Sequence, residues 1–121
     1  GRVTYKMPHG YITVIENSPW AQGAHSIYGF YVDEDQRGKG IGKQLVKIVV
    51  DAYPKQEISA QVSSLSSLKV FLDLGFRTIQ DPSASFAKAK EIFNDNGGSL
   101  NVRLNSPEIE RALMSPKQSK L

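Results

Sequence analysis

The sequence has no cysteine among its 121 residues and no long hydrophobic run. The lack of cysteine excludes a disulfide framework, a thiolate zinc site, a redox CxxC pair and a cysteine nucleophile. Uninterrupted apolar runs reach only three residues, as at positions 48–50, so we expect no membrane span and no signal peptide at the start. These absences predict a cytoplasmic domain that does not bind membranes.

Basic residues exceed acidic ones only slightly, 15 against 12, and their placement is more informative than the net charge of +3. Residues 36–50 contain no acid and four bases, which are Arg37, Lys39, Lys43 and Lys47. This cluster favours one anionic ligand over a nucleic acid, because no aromatic residues alternate with the bases. A solvent-exposed helix face is the alternative explanation.

Hydrophobic periodicity divides the chain into short strands and amphipathic helices. The predicted strands are residues 3–7, 11–16, 26–32, 57–63, 76–79 and 99–104. The predicted helices are residues 40–53, a helix that Ser64 or Ser66 caps and Gly75 ends, and residues 85–94. This order predicts an α+β fold (α/β layered), with a mixed, mostly antiparallel central sheet and helices on its faces. Residues 1–105 are expected to form a single domain, and residues 106–121 a flexible tail.

Glycines cluster between the third predicted strand and the first helix, where residues 31–43 read Tyr-Val-Asp-Glu-Asp-Gln-Arg-Gly-Lys-Gly-Ile-Gly-Lys. Glycines allow successive backbone N–H groups to converge, and the start of the helix adds the positive end of its dipole. Lys39 and Lys43 add charge at the same place, so the segment predicts a site for a phosphate or pyrophosphate group. Arg37 and Gln44 break the Walker pattern, and the glycine spacing is one residue short of a dinucleotide fingerprint.

The pattern Arg37-x-x-Gly40-x-Gly42 resembles the pyrophosphate-binding motif, Gln/Arg-x-x-Gly-x-Gly/Ala, of the GNAT family of acetyl-CoA-dependent N-acetyltransferases. The order of the surrounding elements is also similar to that family, as is the helix that closes in Leu74-Gly75-Phe76. The resemblance extends over residues 3–104. It implies the GNAT fold, acetyl-CoA as co-substrate, no metal, and an unidentified primary amine as acceptor. It is compatible with a homodimer.

The resemblance also implies which residues contact coenzyme A. Backbone amides of the glycine loop would hold the pyrophosphate, and the backbone of Val32 would pair with the pantetheine arm like an added strand. Amides near residues 30–32 would polarise the thioester carbonyl. The residues implied to bind the coenzyme are Tyr31, Val32, Arg37, Gly38, Lys39, Gly40, Ile41, Gly42, Lys43 and Phe71.

The chain departs from the family at the position of the catalytic acid and at its start. Many members carry a tyrosine four residues before the glycine of the Gly-Phe pair, and here that residue is Phe71, which has no proton to donate. Ser64 stands where an asparagine is often found, and Ser67 is a second weak candidate acid. The family usually places a strand and two helices before the hairpin, whereas only about 25 residues precede the central strand here. The alternative to an active transferase is therefore a catalytically weak or inactive acyl-CoA-binding module of the same fold.

No residue is identified as the general base. The candidates are Glu16 and Glu57 in predicted strands, Tyr28 or Tyr31 through an ordered water, and His9 or His25, which are expected in exposed turns. The two histidines are far apart in sequence and lack a carboxylate at ligand spacing, so the pattern predicts no metal site. Trp20, the single tryptophan, is expected to anchor the core.

Overall fold

The computed structural model describes residues 1–114, and its strands follow the alternation of apolar and polar residues in the sequence. The strands are β1 (Arg2–Met7), β2 (Gly10–Ile15), β3 (His25–Val32), β4 (Ile58–Val62) and β5 (Leu100–Leu104). They lie side by side in chain order, with β3 and β4 parallel and every other neighbouring pair antiparallel. The predicted mixed, mostly antiparallel sheet is therefore confirmed.

The described residues form four helices. They are α1 (Ile41–Ala52), α2 (Leu65–Asp73), α3 (Phe86–Asp95) and α4 (Pro107–Met114). Helix α1 connects the parallel strands β3 and β4, and its apolar stripe includes the fully buried Leu45 and Val49. These side chains share one core with Leu68 of α2, Phe93 of α3 and the inward residues of the strands, so the three helices cover the same side of the sheet. No described helix is long and apolar enough to span a membrane.

The opposite side of the sheet, which we call the outer face, has no described helix packed on it. Helix α4 also lies on the helical side, because its Leu113 lines a groove together with residues of α2 and α3. On the outer face the side chains contact one another across strands. The Thr4 and Thr13 hydroxyls are 2.8 Å apart, and the rings of Tyr11 and Tyr31 stack with centroids 5.7 Å apart.

Helix α2 has a well-defined cap at each end. Ser64 accepts a hydrogen bond from the backbone N–H of Ser67 at 3.2 Å, and Gly75 has a φ of +97° just after the helix. The N–H groups of Gly75 and Phe76 bond back to carbonyls of the last turn, which is the Schellman arrangement. Both predicted caps are confirmed. The second one places Phe76 edge to face against Phe71, with ring centroids 5.0 Å apart.

The predicted strand at residues 76–79 is wrong. Only Arg77 pairs with the sheet, through two backbone hydrogen bonds of 2.8 Å to Arg103 of β5. The chain then turns, and Pro82 follows shortly after with no N–H to extend a ladder.

The structure also differs from the expected flexible tail, because Pro107–Met114 form helix α4. Residues 115–121 of that predicted tail lie outside the described residues. Ser106 caps the helix by accepting a hydrogen bond from the N–H of Ile109 at 3.2 Å, and proline is favoured at the first helical position. The Ser-Pro pair therefore starts a helix within the segment that was expected to be flexible.

A substitution at Ile109 tests whether α4 packs on the domain. Ile109 is 4% exposed, and Ile109→Ala should lower the free energy of unfolding by about 2 kcal/mol because it removes buried methyl groups and leaves a cavity. The exposed neighbour supplies the control, since Glu110→Ala should change stability by less than about 0.5 kcal/mol. Chemical denaturation measures both, and equal stability of the two variants would show that α4 is a frayed tail.

Candidate functional site

Strands β3 and β4 pair for only part of their length. Parallel pairing covers three residue pairs, the last of which is Ile27 with Ala60. Beyond it β3 continues to Val32 and β4 to Val62 with no pairing between them. The two strands therefore diverge and leave a V-shaped cleft in the sheet, whose facing edges lack a strand partner among the described residues.

A β-bulge in β3 lies where the divergence begins. Thr13 of β2 pairs with Gly29, but the next residue, Val14, pairs with Ile27, so Tyr28 is an extra residue with no partner on β2. A bulge bends its strand and increases the local twist. The second half of β3 thus bends away from β4 at Tyr28.

Aromatic rings close the core side of the cleft. Phe71 of α2 is 2% exposed and packs edge-on against Phe30 of β3, with ring centroids 5.8 Å apart. Phe76 is fully buried behind Phe71. The cleft consequently opens toward the outer face, where Tyr28 is 65% exposed.

The cleft has a volume of about 210 Å³ and a neutral lining. Its polar side chains belong to Tyr28, Gln61, Ser63 and Ser67, and the other lining residues are apolar or glycine. Tyr28 is the only titratable residue among them, so no carboxylate or imidazole of the described residues lines the cleft. The only protein groups that line the cleft and can exchange a proton are therefore hydroxyls, among the described residues.

The glycine loop lies at the open end of the cleft, between the end of β3 and the start of α1. Gly38 and Gly40 have φ values of +82° and +84°, which glycine adopts without strain. The backbone N–H groups of residues 38–43 have no acceptor among the described residues, and a Cβ at either glycine would meet no atom within 4 Å. These N–H groups face open space at a helix N-terminus, which suits an anionic group.

Contacts with β3 and with the first hairpin hold the loop in place. Arg37 donates a hydrogen bond through Nε to the carbonyl of Val32 at 3.1 Å and lies over the ring of Tyr31. The N–H of Asp33 donates to the carbonyl of His9 at 2.8 Å, and a ring nitrogen of that histidine lies 3.3 Å from the Asp33 carboxylate. The Arg37 side chain therefore braces the loop.

Two lysines add positive charge beside the loop. The ammonium group of Lys39 donates to the side-chain oxygen of Gln36 at 3.3 Å. Lys43 is exposed on the first turn of α1, close to the acidic end of α2. There a hydrogen bond from Lys69 lowers the pKa of Asp73, and the charges of Lys69 and Lys43 contribute.

The structure brings together most of the residues implied to bind the coenzyme. The glycine loop contains Arg37 and residues 38–43 and directly follows the end of β3 at Val32. Phe71 lines the cleft. Tyr31 is the exception among the side chains, because its ring stacks on Tyr11 on the outer face and does not line the cleft. The same ring lies under the Arg37 guanidinium, so it contacts the glycine loop.

The two candidate serines differ in position. Ser67 lines the cleft one helical turn before Phe71, which puts both side chains on the same face of α2. Ser64 is the N-cap, and its hydroxyl donates to the hydroxyl of Ser67 at 2.9 Å. Ser67 is therefore the hydroxyl placed to reach a group in the cleft, and Ser64 supports it.

The candidate bases lie outside the cleft lining. Glu16 accepts a hydrogen bond at 2.7 Å from the hydroxyl of Tyr53, which itself accepts one from Tyr5 at 3.1 Å. Burial, followed by these two hydrogen bonds, raises the pKa of Tyr53. Glu57 is paired with Arg103 at 3.0 Å. Both carboxylates hold structural partners at the end of the sheet away from the glycine loop.

The expectation of exposed turn histidines holds for His9 and is wrong for His25. His25 is 6% exposed at the start of β3, where Nδ1 accepts the N–H of Asn17 at 3.2 Å and Nε2 bonds the side chain of Gln56. The expected core position of Trp20 is also wrong, because this side chain is 80% exposed. It lies on a single 3₁₀ turn over Pro19–Ala21, which points the indole away from the sheet.

Tyr28 and Gln61 both line the cleft. Sequence reasoning named Tyr28 only as a residue that could order a water, and it missed Gln61. The run of β-prone residues around Tyr28 marks a central strand, but nothing in it locates the bulge. Gln61 alternates with buried residues in β4 and looks like any solvent-facing strand residue. Only the divergence of β3 and β4 turns the two into cleft residues.

The fold and the loop define a class of protein that the comparisons with known sequences identify. A family model described as acetyltransferase (GNAT) domain matches residues 4–90. The chain belongs to the GNAT acetyltransferase family. No curated protein sequence gives a significant match.

Solved structures share the same fold at low sequence identity. PH1933 from Pyrococcus horikoshii OT3 has a TM-score of 0.56 and 20% identity over 80% of this chain and 57% of its own. An acetyltransferase from Thermus thermophilus has a TM-score of 0.57 and 17% identity over 85% of this chain and 63% of its own. IAA acetyltransferase from Bacillus cereus ATCC 14579 has a TM-score of 0.55 and 24% identity over 78% of this chain and 68% of its own. The chain thus spans about three fifths of the length of the first two proteins.

Proposed function

We propose that the protein is an acetyl-CoA-dependent N-acetyltransferase in which a primary amine attacks the thioester directly in a ternary complex. The observation that carries this proposal is the junction between the glycine loop and the cleft. The unpaired N–H groups of residues 38–43 lie where the unpaired edge of β3 ends. An anionic pyrophosphate and an extended pantetheine arm need these two features side by side.

The residues present fit acetyl-CoA, which supplies the activated acetyl group. Gly38 and Gly40 leave space above the loop for the pyrophosphate, and Lys39 and Lys43 add positive charge. The edge of β3 beyond Ile27 offers backbone hydrogen bonds to amide groups of the arm, as in the addition of a strand to a sheet. The arm directs its thioester toward the closed end of the cleft, beside Tyr28.

Transfer requires the amine to lose a proton before attack, because an ammonium group with a pKa near 10 has no free electron pair. The cleft lining offers Gln61, Ser63 and Ser67 as polar groups that hold water, and water carries the proton away. When the amine attacks, the C–N bond forms and negative charge develops on the carbonyl oxygen. Backbone N–H groups of β3 near residues 30–32 stabilise that charge. The C–S bond then breaks and coenzyme A leaves as its thiolate.

The departing thiolate has no phenol to protonate it at the family's usual position. Phe71 lines the cleft there, and Ser67 is the hydroxyl on the same face of α2. A thiolate is only moderately basic, with a thiol pKa near 8.5, so departure without an acid is slow but feasible. This favours weak activity.

The alternative is an acyl-CoA-binding module that does not catalyse transfer. Phe71 in the acid position and the lack of a carboxylate or imidazole among the residues that line the cleft favour it. Both proposals require coenzyme A to bind at the glycine loop. Turnover of acetyl-CoA with a panel of amines, followed by release of free thiol and by the mass of the product, distinguishes them.

Gly40→Ala tests the role of the loop in coenzyme binding. Gly40 has a φ of +84°, so alanine strains the backbone that positions the N–H groups and adds a methyl group in the open space above them. We expect the dissociation constant for coenzyme A to rise at least about tenfold, since each charge-assisted hydrogen bond contributes that much. Isothermal titration and the coenzyme-dependent rise in Tm measure this loss.

Gly97 provides a matched control for the strain. It has a φ of +79° and open space around its Cβ position, and it follows α3 outside the cleft lining. Gly97→Ala should cost similar stability and leave coenzyme affinity unchanged. If both variants bind coenzyme A equally well, the loop is not the pyrophosphate site.

Phe71→Tyr tests whether the missing acid limits catalysis. The change adds one hydroxyl in the cleft, with Ser67 on the same helix face to orient it. We expect turnover to rise by about 10²-fold, the lower end of the usual effect of a positioned acid, with coenzyme affinity unchanged. Steady-state kinetics with the best acceptor of the panel measures the change.

Phe93→Tyr is the control for this substitution, because Phe93 is a buried aromatic residue of α3 that does not line the cleft. It should leave turnover unchanged. Ready turnover by the wild type that Phe71→Tyr does not raise would place the proton donor elsewhere. Coenzyme binding without turnover in either protein would establish the binding module.

A further inference from the structure

The acceptor amine must reach the cleft from the outer face of the sheet. On the core side Phe30, Phe71 and Phe76 pack together, and the last two are almost fully buried. On the outer face the cleft wall carries Tyr28, which is 65% exposed. An acceptor therefore meets the side chains of the outer face before it meets the thioester.

The outer face is basic at the strand positions that surround this opening. The outward residues of β1, between the inward ones that pack toward the core, are Arg2, Thr4 and Lys6. No outward position of the five strands holds an acidic residue. Arg103 of β5 is neutralised by Glu57 at 3.0 Å, whereas Arg2 and Lys6 form no ion pair with any described residue. The two β1 cations leave a positive face beside the cleft.

Arg2 is the cation held next to the cleft. Its guanidinium carbon lies 4.9 Å from the centroid of the Tyr28 ring. Across the sheet Arg2 pairs with Ile15, which pairs with Ser26, so Arg2 stands two residues from Tyr28 along β3. A guanidinium stacked on an aromatic ring keeps its N–H edge free, and that edge matches a carboxylate in geometry and charge.

We infer that the acceptor is an amine that also carries a carboxylate, as an amino acid does, and that Arg2 binds this carboxylate while Tyr28 holds the guanidinium in place. The inference rests on the proposed function, because it concerns the second substrate of the same cleft. A polycationic acceptor would be repelled by the same face. Arg2 is in this view a specificity-determining residue, and it takes no part in the transfer of the acetyl group.

The test compares phenylalanine with phenylalanine amide as acceptors at saturating acetyl-CoA. Arg2→Gln should lower kcat/KM for phenylalanine about tenfold, mainly by raising KM, because a charge-assisted contact is lost. It should change kcat/KM for the amide by less than about twofold, as expected when no such contact exists. Comparing variant with wild type for each acceptor cancels the different basicities of the two amines.

Lys6→Gln is the matched control, since Lys6 is an exposed base on the same strand and face without a contact to Tyr28. Lys6→Gln should leave the ratio of kcat/KM for phenylalanine to kcat/KM for its amide unchanged. An equal loss for both acceptors in Arg2→Gln, or no loss for phenylalanine, would overturn the inference while leaving the transferase proposal standing.

Failure of every amine to turn over would contradict the transferase proposal, and binding then decides the inference. NMR titration of the coenzyme-saturated protein with phenylalanine and with its amide gives the two affinities. Tighter binding of phenylalanine that Arg2→Gln abolishes supports the carboxylate site. Equal binding of the two compounds, or binding of neither, overturns it.

Discussion

The interruption of parallel pairing after Ile27 and Ala60 is the constraint on which the rest of the site depends. An unpaired strand edge inside a sheet exposes backbone donors and acceptors that need water or a ligand to satisfy them. Two features keep the edge open: the bulge at Tyr28 turns β3 away, and Phe71 packs against Phe30 on the core side. The cleft is therefore a gap in the strand pairing of the sheet, and its unpaired backbone groups match the hydrogen-bonding pattern of an extended chain.

The position of the glycine loop follows from how tightly the chain packs at the end of β3. A Cβ at Gly10 would lie 2.8 Å from the carbonyl oxygen of Tyr31, and one at Gly42 would lie 3.2 Å from Phe30. The first hairpin thus approaches β3 too closely at Gly10 for any side chain, and at Gly42 a side chain would require the Phe30 ring to shift. Gly38 and Gly40 are needed for a different reason, because they adopt the positive φ values that let the N–H groups of the loop converge.

Local features of this chain were predictable from sequence, and features that need tertiary contacts were not. The glycine loop and the caps of α2 at Ser64 and Gly75 depend on residues close together in the chain, so their spacing was enough. The bulge at Tyr28 appears only when β2 and β3 are aligned in register. The burial of His25 depends on partners from two other segments, and the exposure of Trp20 on a turn that propensities do not resolve.

The one-sided packing of the sheet determines which residues surround the opening of the cleft. All described helices lie on one side, so the chemistry of the cleft's opening is determined by the outward strand residues alone. Those residues include hydroxyls, amides, aromatic rings and bases but no acid, and among the described residues that line the cleft only Tyr28 is titratable. The lining supplies no strong acid or base. Under the proposed function, water therefore moves the proton, and the protein accelerates the reaction by positioning the two substrates. Under the proposed function, the charge of Arg2 beside the opening selects the second substrate.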